Sequence, residues 1–135
     1  MKKIIRVAVC IATGAMLVLP SNVATAHVAT NFSSCVSRFA HTGGFCKHVE
    51  TVHSGHSVFL RGRSPSHPNT TADVERRNPE RGKWRTIGDT ETDADGRLEF
   101  EWKTRDNQQN RQKPWRLRFS IPGHGKSETS RVFVT

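Results

Sequence analysis

From residue 57 onward apolar and polar positions alternate one by one, the period of strands with one buried and one solvated face. In Arg97-Leu98-Glu99-Phe100-Glu101-Trp102-Lys103, the residues Leu98, Phe100 and Trp102 share one face and the charged residues share the other. Arg116 to Ile121 repeats this with Leu117, Phe119 and Ile121, and Arg131 to Val134 repeats it with Val132 and Val134. Shorter runs place Val58 and Leu60, Ala72 and Val74, and Trp84 with Ile87 inward. With one more strand around Lys47 to His53, the pattern predicts about seven strands, and no segment sustains a helical repeat. The expected core is Val58, Leu60, Trp84, Leu98, Phe100, Trp102, Leu117, Phe119, Val132 and Val134.

The connections agree with this. Asp95-Gly96 predicts a hairpin between Thr90 to Thr92 and Arg97 to Lys103, because glycine takes positive φ at little steric cost. Asn78 to Gly82 joins two further strands, and Ser64 to Thr71, with Pro65 and Pro68, reads as a loop. The Asn- and Gln-rich stretch Arg105 to Pro114 reads as a second exposed loop. Short strands at nearly regular spacing predict an all-β protein, a single antiparallel sandwich over residues 57 to 135.

The first 56 residues read differently. Lys2, Lys3 and Arg6 precede the apolar run Val7 to Leu19, and Ala24-Thr25-Ala26 supplies the small-x-small pattern of a cleavage site. Residues 1 to 26 therefore read as a secretory signal peptide cut after Ala26, and the protein is expected to be exported or secreted with His27 as its first residue. The apolar run is shorter than the about 20 residues a membrane-spanning helix needs, and no later segment replaces it. Cys10 leaves with the signal peptide, so Cys35 and Cys46 are expected to pair as one disulfide in an oxidising compartment. Residues 27 to 56 are rich in His, Ser, Thr and Gly without clear periodicity, and are expected to form a disulfide-stapled arm.

Several segments resemble the immunoglobulin-like or prealbumin-like domains of bacterial exported proteins. The resemblance runs through His53-Ser54-Gly55-His56-Ser57-Val58-Phe59-Leu60-Arg61-Gly62, Val74-Glu75-Arg76-Arg77 and Gly82-Lys83-Trp84-Arg85-Thr86-Ile87. It continues through Thr92-Asp93-Ala94-Asp95-Gly96-Arg97-Leu98-Glu99-Phe100 to the last two strands, about residues 53 to 135 in all. It implies an immunoglobulin-like β-sandwich used as an adhesive, carbohydrate-binding or spacer module, and it transfers no catalytic residue. The Cys35 and Cys46 arm is a departure from that pattern, and both cysteines precede all three tryptophans, unlike antibody domains.

Charge narrows the partners. The chain has 21 Lys and Arg against 12 Asp and Glu; three of the basic residues and none of the acidic ones lie in residues 1 to 26, leaving 18 − 12 = +6. Such an excess favours anionic cell-envelope polymers or glycans, and an exported compartment disfavours nucleic acid. The expected ligand-binding group is Arg105, Arg111, Lys113, Trp115, Arg116 and Arg118, of which Arg116 and Arg118 share the outward face of one strand, while Trp115 has the alternative, and favoured, role of anchoring the entry of its strand to the core.

Histidines supply the alternative, a secreted copper or zinc protein. His48, His53 and His56 crowd one segment, but their spacing matches no standard zinc pattern. A terminal His27 could chelate copper through its amino and imidazole nitrogens with a distant partner such as His124, the brace of copper oxidases on β-sandwich scaffolds. Asp93-Ala94-Asp95-Gly96 begins like a calcium loop, but the twelfth position is Thr104 where an EF-hand needs Glu. No Gly-x-Ser-x-Gly, phosphate-loop or His-Glu-x-x-His motif occurs. The leading expectation is a non-enzymatic binding module with no cofactor.

Overall fold

In the computed structural model, residues 31–40 and 46–135 are described. The alternating pattern becomes nine strands among these residues: β1 (Ser33–Ser37), β2 (Val49–Val52), β3 (Ser57–Arg63), β4 (Thr71–Arg77), β5 (Trp84–Glu91), β6 (Arg97–Lys103), β7 (Asn110–Ile121), β8 (Gly125–Lys126) and β9 (Ser130–Val134). They form two sheets. One has the order β2-β9-β7-β4-β5, with the short β8 also paired to β7, and the other has the order β1-β3-β6. Every pairing is antiparallel except that of β9 with β2. The inward faces meet in one core that draws on both sheets, with Val36, Val58, Leu60, Val74, Leu117, Phe119, Val132 and Val134 fully buried. The result is the expected all-β sandwich, with two more strands than the alternation predicts.

Eight of the ten expected core residues are buried; Phe100 and Trp84 are not fully so. Phe100 covers Gly88 so closely that a Cβ there would lie 2.7 Å from its ring. Trp84 faces outward, contrary to the inward placement the alternation suggests. The reason is a bulge in β5: Val74 pairs with Gly88 but Glu75 pairs with Thr86, so Ile87 is an extra residue and the parity reverses across it.

The segment before Ser57 contributes a strand to each sheet. β1 pairs with β3 and β2 pairs with β9. The Cys35–Cys46 disulfide and the isolated Val36–Lys47 bridge hold the crossing between them, with the cysteine Cα atoms 5.3 Å apart. Across the two sheets the buried Ser34 hydroxyl donates to the Glu128 carbonyl at 2.7 Å and meets the Ser130 hydroxyl at 2.8 Å, so these polar groups are satisfied where water cannot reach.

Two connections differ from expectation. The Asp95-Gly96 turn forms, but the strands it joins do not pair: β5 belongs to the larger sheet and β6 to the smaller. Asp93 Oδ1 accepts from the backbone N–H of Asp95 at 2.8 Å and of Arg97 at 2.9 Å, and these bonds hold its carboxyl below the usual range, the Arg97 bond foremost. Gly96 has φ 79°, and a Cβ on it would lie 2.2 Å from the Ser64 carbonyl oxygen, so the turn is locked against the next loop. Arg105 to Pro114 is likewise not one exposed loop. It holds a single 3-10 turn at Asp106–Gln108, after which β7 begins at Asn110. Pro114 fits inside β7 because the pairing with β9 slips there, and Asn110 Oδ1 takes up the N–H groups of Gln112 and Lys113.

Candidate functional site

Strand parity decides which cations reach the outer face of the larger sheet. On β7 the buried Trp115, Leu117 and Phe119 send Arg116 and Arg118 outward, and on β9 the buried Val132 and Val134 send Arg131 outward. On β4 the buried Ala72 and Val74 send Glu75 and Arg77 outward. Register then aligns them. Arg131 pairs with Arg116, Arg116 with Arg77, and Arg77 with Trp84, so one row across four strands reads Arg131, Arg116, Arg77, Trp84. At about 4.8 Å between strands, the three arginine Cα positions span about 10 Å.

No carboxylate lies within ion-pair distance of Arg77, Arg116 or Arg131 among the described residues. Like charges placed directly opposite on neighbouring strands oppose folding. The next row is different. Arg118 donates Nε to Glu75 Oε1 at 2.7 Å and stacks 3.8 Å above the Trp84 ring, while Lys126 lies 3.5 Å from the same carboxylate. Glu75 is thus engaged, and Arg118 fixes the indole at the end of the arginine row. Further along the strands Asp73 pairs with Asp89. The arginine row therefore stands at one end of the face and the two aspartates, with Lys126 near them, stand toward the other.

The expected ligand group is divided by the fold. Arg116 and Arg118 lie on the outer face as described, the former in the row and the latter paired with Glu75. Arg111 and Lys113 are exposed on the first half of β7, and Lys113 lies 3.7 Å from Glu80. Trp115 is only 5% exposed, and its Nε1 donates to the Gln108 carbonyl at 2.7 Å, so its ring is a core element. Arg105 is exposed beside the 3-10 turn, near Arg76. Arg77, Arg131 and Trp84 were not among the expected ligand residues; their signal was strand parity, which needs the pairing order to become a row.

The histidines do not converge among the described residues. His48, His53, His56 and His124 are all exposed, and no group of three metal-ligating side chains forms there. His53 and His56 have ring centroids 6.2 Å apart, and His53 Nδ1 lies 2.9 Å from the Thr135 hydroxyl. His124 instead meets His67, with ring centroids 4.6 Å apart. His27 and the whole signal-peptide segment lie outside the described residues. No helix among the described residues is long and apolar enough to cross a membrane. A comparison with protein-family models found no match, and one with curated proteins found no significant match.

Proposed function

We propose that the chain is an exported, non-enzymatic module that binds anionic cell-envelope polymers or glycans. The observation that carries this reading is the row Arg131, Arg116, Arg77 with Trp84 at its end. A flat sheet face with cations at a regular cross-strand interval suits a ligand whose negative charges also repeat along a line. The half-exposed Trp84, oriented by Arg118, adds an aromatic edge for the apolar side of a sugar ring. The signal-peptide pattern and the disulfide favour an extracytoplasmic location. Kinship with immunoglobulin-like or prealbumin-like exported domains is part of the same reading, and rests on the motifs quoted above.

The test is binding to wall extracts and to polygalacturonate, comparing the protein with an Arg77→Ser, Arg116→Ser, Arg131→Ser variant. Loss of three solvent-accessible charge contacts, Arg131 exposed and Arg77 and Arg116 half-buried, is expected to weaken binding roughly tenfold. Binding by the unaltered protein should fall as salt rises, since exposed charges are screened over about 8 Å at 0.15 M. An Arg111→Ser, Lys113→Ser variant should change binding less. Salt-insensitive binding that the triple variant retains would remove the arginine row from the mechanism. Sequencing of the secreted protein should begin at His27.

A further inference from the structure

The inward face of β4 runs Ala72, Val74, Arg76, so a guanidinium occupies a place where the strand's alternation would next put a core side chain. Two indoles support it. Arg76 Cζ lies 4.8 Å from the Trp115 ring centre and 5.5 Å from that of Trp102, and these rings pack against each other at 5.6 Å with a 58° tilt. The ring faces attract the cation but offer no lone-pair acceptor to its N–H groups. Among the described residues Arg76 has neither a carboxylate nor a hydrogen-bond acceptor for its side chain. Its surroundings oppose its charge. Burial, then Arg85, then Arg105 each push its pKa below the ordinary guanidinium value.

Beside Arg76 is a cavity of about 440 Å³ whose lining includes Arg76, Asn78, Arg81, Lys83, Arg85 and Trp115. It carries four cations and no carboxylate. The nearby acid of the β4–β5 turn, Glu80, is turned away to Asn110 and Lys113. Glu101 lines a separate cavity of about 420 Å³ that Arg76 also borders; its Oε2 accepts from the Ser57 hydroxyl, and neither oxygen is within ion-pair distance of Arg76. A half-buried cation with unmet donors, fixed by aromatic packing and surrounded by further cations, is an incomplete arrangement that an anion would complete.

We propose that this cavity binds a compact oxyanion, a phosphate or sulfate group, with Arg76 as the fixed anchor and Arg81, Lys83 and Arg85 as the outer cations. A doubly charged tetrahedral group offsets more of this positive charge than a single carboxylate does and accepts hydrogen bonds in several directions. The cavity is distinct from the arginine row but adjoins it. Arg76 faces inward on β4 while Arg77 faces outward, and no residue of the row lines the cavity, although Arg77 Nη2 comes close to Gly82, which does.

The experiment is thermal unfolding at pH 7 and fixed ionic strength, with sodium chloride replaced stepwise by sodium phosphate or sulfate. The midpoint is expected to rise with either anion, as linkage requires for a ligand of the folded state. Arg76→Met should fold and be no less stable than the unaltered protein in chloride, since it removes an unpaired charge, and its midpoint should show only the small general rise that kosmotropic anions give any folded protein, below that of the unaltered protein. If that variant does not fold, Arg81→Ser with Arg85→Ser, both at exposed positions, should weaken the phosphate response about tenfold. Glucose 6-phosphate and glucose 6-sulfate identify the source: binding as tight as phosphate places the group on a glycan, and binding by the inorganic ion alone makes it a free anion. A midpoint no higher in phosphate than in chloride, an equal rise in Arg76→Met, or glucuronate matching phosphate would each overturn the proposal. A variant of the row that spares Arg77, Arg116→Ser with Arg131→Ser, should keep the full phosphate response, so failure of one site does not decide the other.

Discussion

On the outer face of the three-stranded sheet, Arg61 faces Glu99 across β3 and β6 and donates Nε to it at 3.1 Å, and the Ser57 hydroxyl donates to Glu101. The like pair on that face, Arg63 opposite Arg97, is met by Asp95, whose carbonyl oxygen lies 3.5 Å from Arg63 Nε and whose carboxylate lies 3.5 Å from Arg97. On the outer face of the larger sheet Arg131 faces Arg116 and Arg116 faces Arg77, with no acid between them. Both faces are solvated sheet surfaces made by the same alternation. On the first face each charge named has an acid or carbonyl beside it, whereas on the second the row of Glu75 opposite Arg118 is paired and the arginine row next to it is not. Cross-strand like charges oppose folding by tenths of a kcal/mol each, so the arginine row is where a ligand has something to add.

The largest change comes from breaking both faces together. Phe119, on β7, fills the space over Gly62 of β3, where a Cβ would lie 2.7 Å from its ring. Phe119→Ala is expected to lower unfolding free energy by about 3–5 kcal/mol in chemical denaturation, with both faces lost in one transition. An unchanged midpoint would show that the two sheets do not share this core. The disulfide ranks next. Cys35→Ser with Cys46→Ser should cost about 2–3 kcal/mol, read as a lower melting point than that of the oxidised protein.

Single charges sharpen the comparison by their sign. Arg61→Ala should destabilise by about 1 kcal/mol, because it leaves the half-buried Glu99 without that partner. Arg116→Thr should be neutral or stabilise by a few tenths of a kcal/mol, because it relieves two cross-strand repulsions while keeping β propensity. Equal destabilisation by the two substitutions, measured in denaturant, would erase the contrast between the faces.

The smallest effect belongs to the turn that sends the chain from one sheet to the other. The Asp93 carboxyl is held low by backbone N–H groups of Arg97 and Asp95, and is exposed. A depressed folded-state pKa gives stability that is present above the unfolded carboxylate value and lost as pH falls through the folded value. Asp93→Asn keeps an oxygen acceptor, so its melting point should vary less with pH in that acid range. Parallel pH profiles for the two proteins would remove Asp93 from the acid response.

The alternation of Leu98 with Trp102, or of Leu117 with Phe119, was legible in the chain because burial on a strand depends on residues two apart. The Asp95-Gly96 turn and the pairing of Cys35 with Cys46 were legible for a similar reason, since each is a local or compositional constraint. Which strands the turn would join was not, because choice of sheet is settled by packing partners distant in sequence. Trp84 shows the limit most sharply: a bulge at Ile87, required to keep β5 in register with β4, carries its ring from the expected core to the outer face. Trp115 takes the core-anchor role rather than the ligand role, but the early start of β7 that precedes it, with the slip at Pro114, was not legible. The arginine row and the Arg76 cavity both depend on the order β9-β7-β4-β5, which brings residues 77, 116 and 131 into line and leaves Arg76 against two indoles. Composition determined that positive charge would be in excess. Only tertiary pairing decided where that charge would stand unopposed, because opposition is a matter of which side chains become neighbours.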